Sequence, residues 1–490
     1  MNQTLLDDYR AVSVTNREYM RNRDRWEFLL YSYVGGEEYR RQGYLTKYQL
    51  ETEGEYNQRL KTTPLDNHAQ SVISVYSSFL FKDCPEREFM DWEGRVDLES
   101  FLNDADLEGR DLDSFMKDIA VWNSVFGHTW IIMTKPNIGA ESLGAELDMG
   151  IRPYINMLTP LAVMDWTWTR GPTGRYELTY FKYIEEIVGK VTVVREWTND
   201  LINTWVMDDD KKEAYLKSTE VNGLGCIPAI LSYNKRSIVK GIGVSDISDI
   251  ADMQRLIYNY NSEIEQSHRL DGHPSLVVTP DTQYGSGAGA VIQIPNDLEP
   301  GLKPYVLEHG GGNIGALHES INQLVDSIDN MSNTGAVRGQ RTASVSGVAL
   351  EVEFALLNAR LSEKADSLEL TEEQMWELFG LYQGLHWNGE VKYPDSFNIR
   401  DVDREFAHLV SAKSAATDPR VLAVIDHEVI ELLGEDADII MPELVNGQQL
   451  DAMEPFEPRL LFNPQTGDEL MPTSFEQKKT LLNQGWVEKE

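Results

Sequence analysis

The residues best placed to do chemistry in this sequence are charged groups set out in a pattern. From Asn330 to Leu350 there is no Asp or Glu, yet the run Arg338-Gly339-Gln340-Arg341 carries two guanidinium groups. Guanidinium groups donate in a fork that suits phosphate oxygens, and the neighbouring glycines allow the backbone to move. On either side the balance reverses. The segment Ser245–His268 carries Asp246, Asp249, Asp252, Glu263 and Glu265 against one Arg255. The segment Asn313–Asn333 carries Glu319, Asp326 and Asp329 with no Lys or Arg. Glu319, Asn322, Asp326 and Asp329 fall broadly opposite that segment's apolar stripe, so the acids are expected on the face turned away from the core.

Catalytic signatures are weak by comparison. No G-x-x-x-x-G-K-[ST] loop and no Gly-x-Ser-x-Gly elbow is present. Gly285-Ser286-Gly287-Ala288-Gly289 lacks dinucleotide-binding spacing and reads as a hairpin tip. His427-Glu428-Val429-Ile430-Glu431 lacks the second histidine of a zincin helix, so it reads as a solvated acidic face. Gly310-Gly311-Gly312-Asn313 reads as a loop-to-helix hinge. Neither Cys84 nor Cys226 has a neighbouring histidine, and two cysteines make no disulfide framework or self-contained zinc site. No enzyme activity, metal or cofactor is expected.

The elements that must position the charged groups follow from periodicity. Trp26, Leu29, Leu30 and Tyr33 recur at helical spacing, as do Val72, Val75, Tyr76, Phe79 and Leu80, with Asp66 or Asn67 as N-cap. An amphipathic stretch is expected over Phe101–Val121. From Thr129 the period changes to that of strands: Trp130–Met133, Tyr154–Met157, Tyr176–Ile184, Val191–Val194 and Leu201–Val206 form an antiparallel meander. Ile227–Leu231 is expected to close it. The tryptophans there (Trp166, Trp168, Trp197, Trp205) fit a sheet core better than a sugar cleft. Ile247, Ile250, Met253, Ile257, Tyr260 and Ile264 form one helical stripe, and Ile314, Leu317, Ile321, Leu324, Ile328 and Met331 a second. Between them lies a Gly- and Pro-rich excursion with three short β-like runs. A long helix after Gly347 carries Leu350, Phe354, Leu357, Leu361, Ala365 and Leu368, with Ser346 as candidate N-cap and interruptions at Gly380 and Gly384. From Ser396 the chain is helical again, and Asp426–Glu443 holds seven acids with no Lys or Arg. Residues 446–490 read as an irregular tail.

Composition frames this pattern. The 490 residues carry 44 Lys and Arg against 80 Asp and Glu, a formal charge of −36. That excludes a protein that coats nucleic acid through clustered cations, but not one that lets DNA slide past. With 41% hydrophobic residues the chain can build a large core. No signal peptide or membrane span is visible, so a soluble intracellular product with reduced cysteines is expected.

The order of elements resembles the portal proteins of tailed double-stranded DNA bacteriophages. Ser346-Gly347-Val348-Ala349-Leu350, opening a long helix after a flexible polar loop, is similar to the start of the family's long wing helix after its tunnel loop. Asp246–Asn261 is similar to the first channel-lining stem helix, and His273-Pro274-Ser275-Leu276-Val277-Val278 to the start of the clip. Gly225-Cys226-Ile227-Pro228 and Asn67 with Val72–Leu80 add to the likeness, which spans roughly Pro64–Glu443. It implies an α+β portal fold that assembles as a ring, usually a dodecamer, at one capsid vertex. The parts implied are a wing (1–243), stem helix 1 (244–271), clip (272–312), stem helix 2 (313–332), tunnel loop (333–346), long wing helix (347–395), crown (396–445) and C-terminal tail (446–490). The implied location is the virion, with the host cytoplasm during assembly. The implied partners are the major capsid protein, the terminase motor, then the connector or adaptor, with double-stranded DNA passing through and no membrane. Arg338, Gly339, Gln340 and Arg341 are the expected tunnel-loop contacts, with the arginines touching DNA or bridging subunits. Asp246, Asp249, Glu319, Asp326 and Asp329 are the expected channel-lining acids, repelling phosphate. The sequence leaves two other readings: an intracellular carbohydrate-active hydrolase using paired carboxylates between aromatic walls, and a different ring-forming virion protein such as a connector.

Overall fold

Seven consecutive residues, His128–Thr134, are all buried, which only a strand covered on both faces achieves. In the computed structural model this strand (β2) lies between β3 (Tyr154–Leu158) and β9 (Ala229–Tyr233), both antiparallel to it. The structure describes residues 3–136, 143–272, 275–278, 283–284, 292–293, 305–307, 312–338, 347–397, 402–415, 419–432, 461–462, 469–470 and 486–488. Helices and antiparallel sheets are mixed along the chain, which divides into Met1–Asn398 and Ile399–Glu490.

In the first unit, eight helices and two strands are laid down around β2: α1 (Gln3–Val12), α2 (Arg17–Val34), α3 (Gly36–Arg41), α4 (Glu53–Thr62), α5 (His68–Leu80), β1 (Glu86–Glu88), α6 (Val96–Asn103), α7 (Leu112–Phe126), α8 (Leu143–Asp148) and β3. Asn16, Asn67 and Asp111 cap α2, α5 and α7, each side chain accepting from a backbone N–H of the first turn. The single amphipathic stretch expected over Phe101–Val121 is two helices. Asp104, Asp106 and Gly109 (φ +90°) turn the chain between α6 and α7, and the two carboxylates take up backbone N–H groups there.

The meander is β4 (Val163–Arg170), β5 (Tyr176–Val188), β6 (Val191–Thr198), β7 (Leu201–Asp208) and β8 (Glu213–Val221), hydrogen-bonded in that order. Of the runs expected in it, Trp130–Met133 and Tyr154–Met157 belong instead to β2 and β3 of the other sheet. Strands β4 and β8 take the outer places, and the Ile227–Leu231 run does not close it. That run enters β9 and pairs with β2 instead, placing Ile230 and Ser232 on the covered face. Trp166 and Trp197 are buried, and Trp130 stacks beside Trp168 at 6.1 Å, so these aromatics are core.

Long helices and one single turn follow. They are α9 (Ser248–Gly272), α10 (Gly312–Ser332), the single turn α11 (Gly335–Arg338) and α12 (Gly347–Gln383). At 1.5 Å per residue they run about 37, 31, 6 and 55 Å. Between α9 and α10 the described residues form two short pairs: β10 (Ser275–Val277) with β13 (Tyr305–Leu307), and β11 (Gln283–Tyr284) with β12 (Ile292–Gln293). On α12, Leu357, Leu361, Ala365, Leu368, Met375, Trp376 and Phe379 are buried at helical spacing. The helix runs through Gly380, whose missing Cβ leaves room for the Trp92 ring, and ends at Gly384 in the left-handed region (φ +67°). Ser346 lies outside the described residues. Buried Glu372 accepts from Tyr393 (2.7 Å), Trp376 (3.2 Å) and Arg87. It thereby ties α12 to β1 and to β14 (Glu390–Lys392), which pair with each other.

In the second unit α13 (Val402–Ala415) and α14 (Pro419–Leu432) pack together, with Lys413 paired to Asp426. The expected irregular tail contains regular structure. Leu461–Phe462 (β15) lies between Glu469–Leu470 (β16) and Val487–Glu488 (β17).

One close approach sets where α9 begins. Gly127, left-handed after α7 (φ +90°), meets Gly243. A Cβ on Gly243 would stand 1.8 Å from the Gly127 carbonyl oxygen. Replacing Gly243 by Ala must therefore displace backbone. It is expected to cost more than about 2 kcal/mol, measured as a fall in the urea midpoint relative to Gly223→Ala, where a Cβ meets open space.

Candidate functional site

The Gly127–Gly243 crossing carries the chain into a fixed approach to α9. The Asp246 N–H donates to the Ser124 carbonyl (3.0 Å) and the Ser245 hydroxyl to the Val125 carbonyl (2.6 Å). The Asp246 carboxylate is thereby held just ahead of α9, with its side chain 7% exposed. Arg360 donates to one of its oxygens (2.9 Å) and Lys364, one turn further along α12, to the other. Lys364 also donates to Ser124 (3.0 Å) and to Asn234. Both cations lie 5.2 Å from the centre of the Tyr76 ring.

The same groups catch the far end of α10. The Tyr76 hydroxyl donates to the Ser332 carbonyl (2.6 Å) and Arg360 to the Met331 carbonyl (2.9 Å). These are C-terminal helix carbonyls, which have no partner within their own helix. One buried cluster therefore fixes the first residues of α9, the last of α10, and their register on α12 and α5. Burial alone would raise the Asp246 carboxyl, but Lys364 and Arg360 reverse that and hold it at about 2. Burial also pushes the Tyr76 hydroxyl up, so it stays a donor.

A second cluster sits just beyond. Arg338 of α11 donates to Asp329 (2.6 Å) and to the Ser71 hydroxyl (2.9 Å), and lies 2.9 Å from His68 Nδ1. The Arg338 and Asp329 side chains are only about a tenth exposed. Burial lowers the His68 imidazole and the Arg338 charge lowers it further, leaving a neutral ring able to accept.

These contacts redraw the expected site. Asp246 and Asp329, expected as exposed channel-lining acids, are instead buried against cations of the same chain. Arg338 is not free to reach a passing ligand, because Asp329, Ser71 and His68 hold it. Gly339, Gln340 and Arg341 lie outside the described residues. On α9, Asp252 pairs with Arg25 and Arg255, Glu265 with Arg269, and Glu263 accepts from Tyr48. Asp249, Glu319 and Asp326 are the expected acids that remain exposed, and none has an ion-pair partner among the described residues. Glu319 and Asp326 are two turns apart on α10 and share a face with Asn322 and Gln323, all exposed. No Lys or Arg occurs on α10.

The sequence signalled none of the buried partners, because Arg360 and Lys364 look like ordinary charges on a long helix. The i, i+4 spacing of two cations beside the apolar stripe was the one available hint. Among the described residues no group of three metal-ligating side chains comes together, and no helix is long and apolar enough to cross a membrane. Nor do paired carboxylates line the cleft beside Trp168 and Tyr176, where Glu177 is the one acid among the described residues.

No protein-family model matches the sequence, and no curated protein matches it. Solved structures give distant likenesses. A chain of the neck of the empty gene transfer agent particle, computed with C6 symmetry, superposes with a TM-score of 0.43 at 10% identity, covering 74% of this chain and 91% of that one. A chain of the native particle's neck, computed with C12 symmetry, gives 0.42 at 11% identity, covering 73% and 89%. A chain of the virion of the native particle gives 0.42 at 10% identity, covering 73% and 89%.

The cluster makes a signed prediction. The Asp246 pKa is lower folded than unfolded, so its stabilisation is complete above about pH 4 and is lost as pH falls towards 2. The contribution is about 2 kcal/mol. Urea midpoints at pH 7, 4 and 2.5 are expected to converge between wild type and Asp246→Asn as pH falls. Lys364→Met leaves the carboxylate short of a buried partner and is expected to cost about 3 kcal/mol or more at pH 7.

Proposed function

We propose that this chain is a portal protein of tailed double-stranded DNA phage type, the subunit of a ring through whose centre the genome passes. The observation that carries the reading is the hairpin of two long helices, α9 and α10. A short β-paired insert separates them, and the Asp246–Arg360–Lys364–Tyr76 cluster clamps both at their base. In this reading α9 and α10 are the stem, the insert 272–312 the clip, 333–346 the tunnel loop and 396–445 the crown.

The charge pattern supports it. Exposed Glu319 and Asp326 lie on a helix face without cations, so repetition around a ring gives stacked acidic collars. A like-charged wall keeps DNA hydrated and mobile, because each tight phosphate contact would have to be broken at every step of translocation. Arg338 anchors the base of the tunnel loop to Asp329, and Arg341 is the loop cation left to touch DNA. The chain itself supplies channel and docking surface for a terminase, the capsid and a connector, and performs no hydrolysis.

Negative-stain imaging of the purified chain tests this: rings with a central channel are expected. Compact monomers at every concentration overturn it. In such rings Glu319→Lys with Asp326→Lys is expected to raise retention of linear duplex DNA at low salt by at least about tenfold, with the gain lost at high salt. Unchanged retention would remove these two residues from the lumen.

A further inference from the structure

The five-stranded sheet differs in charge from one end to the other. At the end where β4 stops and β5 starts lies a cleft of about 610 Å³ between that sheet and β9, which is an edge strand. Trp168 and Tyr176 form one wall, and Ala229, Leu231 and Tyr233 of β9 the other. Lys240 sits between the aromatic rings, 3.5 Å from the centre of Tyr176 and 4.4 Å from that of Trp168. Arg170 covers Tyr176 at 5.1 Å and Arg236 covers Tyr233 at 5.3 Å. None of Arg170, Arg236 and Lys240 has a carboxylate partner among the described residues. Ile238, fully exposed, stands on the rim. With Glu177 the one acid in the lining, Arg170, Arg236 and Lys240 leave the cleft net positive in a chain of charge −36.

The opposite end of the same strand carries the complement. β5 runs on to Glu185, Glu186, Ile187 and Val188 before the turn to β6. Ile187 is 64% and Val188 60% exposed, although both lie in a strand. Glu185 is partly engaged by Arg195 (3.0 Å), whereas Glu186 has no partner among the described residues. Twelve residues of strand separate Tyr176 from Val188, about 40 Å. Cleft and tip therefore cannot meet within one molecule.

The geometry points to a head-to-tail contact between two copies: the Glu185–Val188 tip of one chain seats in the Trp168–Tyr176–Lys240 cleft of the next. Ile187 and Val188 cover Leu231 and Ile238, and the glutamates meet Arg236 and Lys240. Nucleobases are a poorer fit, because the aromatic faces are already occupied by the protein's own cations. A contact between different surfaces of identical chains repeats by one rotation, which closes a ring or runs on as a filament. The contact deepens the ring reading and rests on it for closure.

The test uses the full chain, by mass photometry over a concentration series. A cleft variant (Arg236→Glu with Lys240→Glu) and a tip variant (Glu186→Lys with Ile187→Lys) alter exposed residues, and unchanged thermal melting checks their folding. Each is expected to raise the concentration for half-assembly by at least about tenfold. Mixed one to one, they keep one wild-type joint per pair and set acidic clefts against basic tips at the other, so assembly is expected to recover relative to either variant alone. In a Cys84→Ser background, Ile187→Cys is expected to cross-link under oxidation to Cys226, which lines the cleft. Wild-type rings that survive both variants and yield no cross-link overturn the contact while leaving the ring reading standing. A wild-type chain that stays monomeric removes both. An oligonucleotide whose binding is lost in the cleft variant, with assembly unchanged, assigns the cleft to nucleic acid and also overturns it.

Discussion

The structure depends on one buried ion cluster. Asp246 sits just before α9, its two cations sit on α12, and the phenol beneath them belongs to α5 and reaches the end of α10. Burying a carboxylate is unfavourable unless each oxygen is met by a donor, and here both are. A carboxylate that satisfied fixes direction as well as position. The two long helices can leave their common base at one register only, since a shift of one residue would strand a charge away from water. Hydrophobic contacts along the helices supply cohesion but tolerate sliding; the cluster does not.

This changes what the acidity of the chain means. Much of the acid on and just before α9 is consumed internally: Asp246 by α12, Asp252 by Arg25 and Arg255, Glu265 by Arg269. Of the five acids expected to line a channel, Asp249, Glu319 and Asp326 are the ones that stay exposed with no ion-pair partner among the described residues. Net charge describes the whole molecule, but function responds to residual charge, the part left after local pairing. The same subtraction isolates the cations. Arg338 vanishes into Asp329, while Arg236 and Lys240 persist against the overall sign.

How much of this was legible in the sequence follows from the range of the interactions. The long helices and the strands β5, β6 and β7 were readable, because periodicity is a property of neighbours in the chain, whereas β4 and β8 and the split into two sheets were not. The bounds came within a few residues where a cap or a left-handed glycine marked them, as at Asn67 and Gly384. What failed depended on distant partners. Ile227–Leu231 reads as a strand, but its sheet is set by β2 about a hundred residues earlier, whose two-sided burial requires a second neighbour. The break between α6 and α7 comes from Asp104 and Asp106 binding backbone. Gly380 reads as a breaker, yet its lack of a side chain makes room for Trp92. Among the site residues, exposure could be inferred from helical phase for Glu319 and Asp326. It could not for Asp246, Asp329 or Arg338, because their partners lie between nine and more than a hundred residues away.

The two charge systems differ in kind. The buried cluster is rigid, desolvated and insensitive to salt, as suits a joint that must hold one geometry. The cleft and hairpin tip are exposed at opposite ends of the β5 strand, where the proposed association would respond to salt and concentration. A self-assembling acidic chain faces repulsion between copies that grows with each added subunit. Uniform acidity would oppose closure altogether. Confining uncompensated cations to one end of a sheet, with acid and aliphatic side chains at the other, makes the attraction local and directional while the remaining surface stays acidic. Intramolecular pairing sets the shape of the chain, and in the proposed contact the charges left unpaired would set how copies meet.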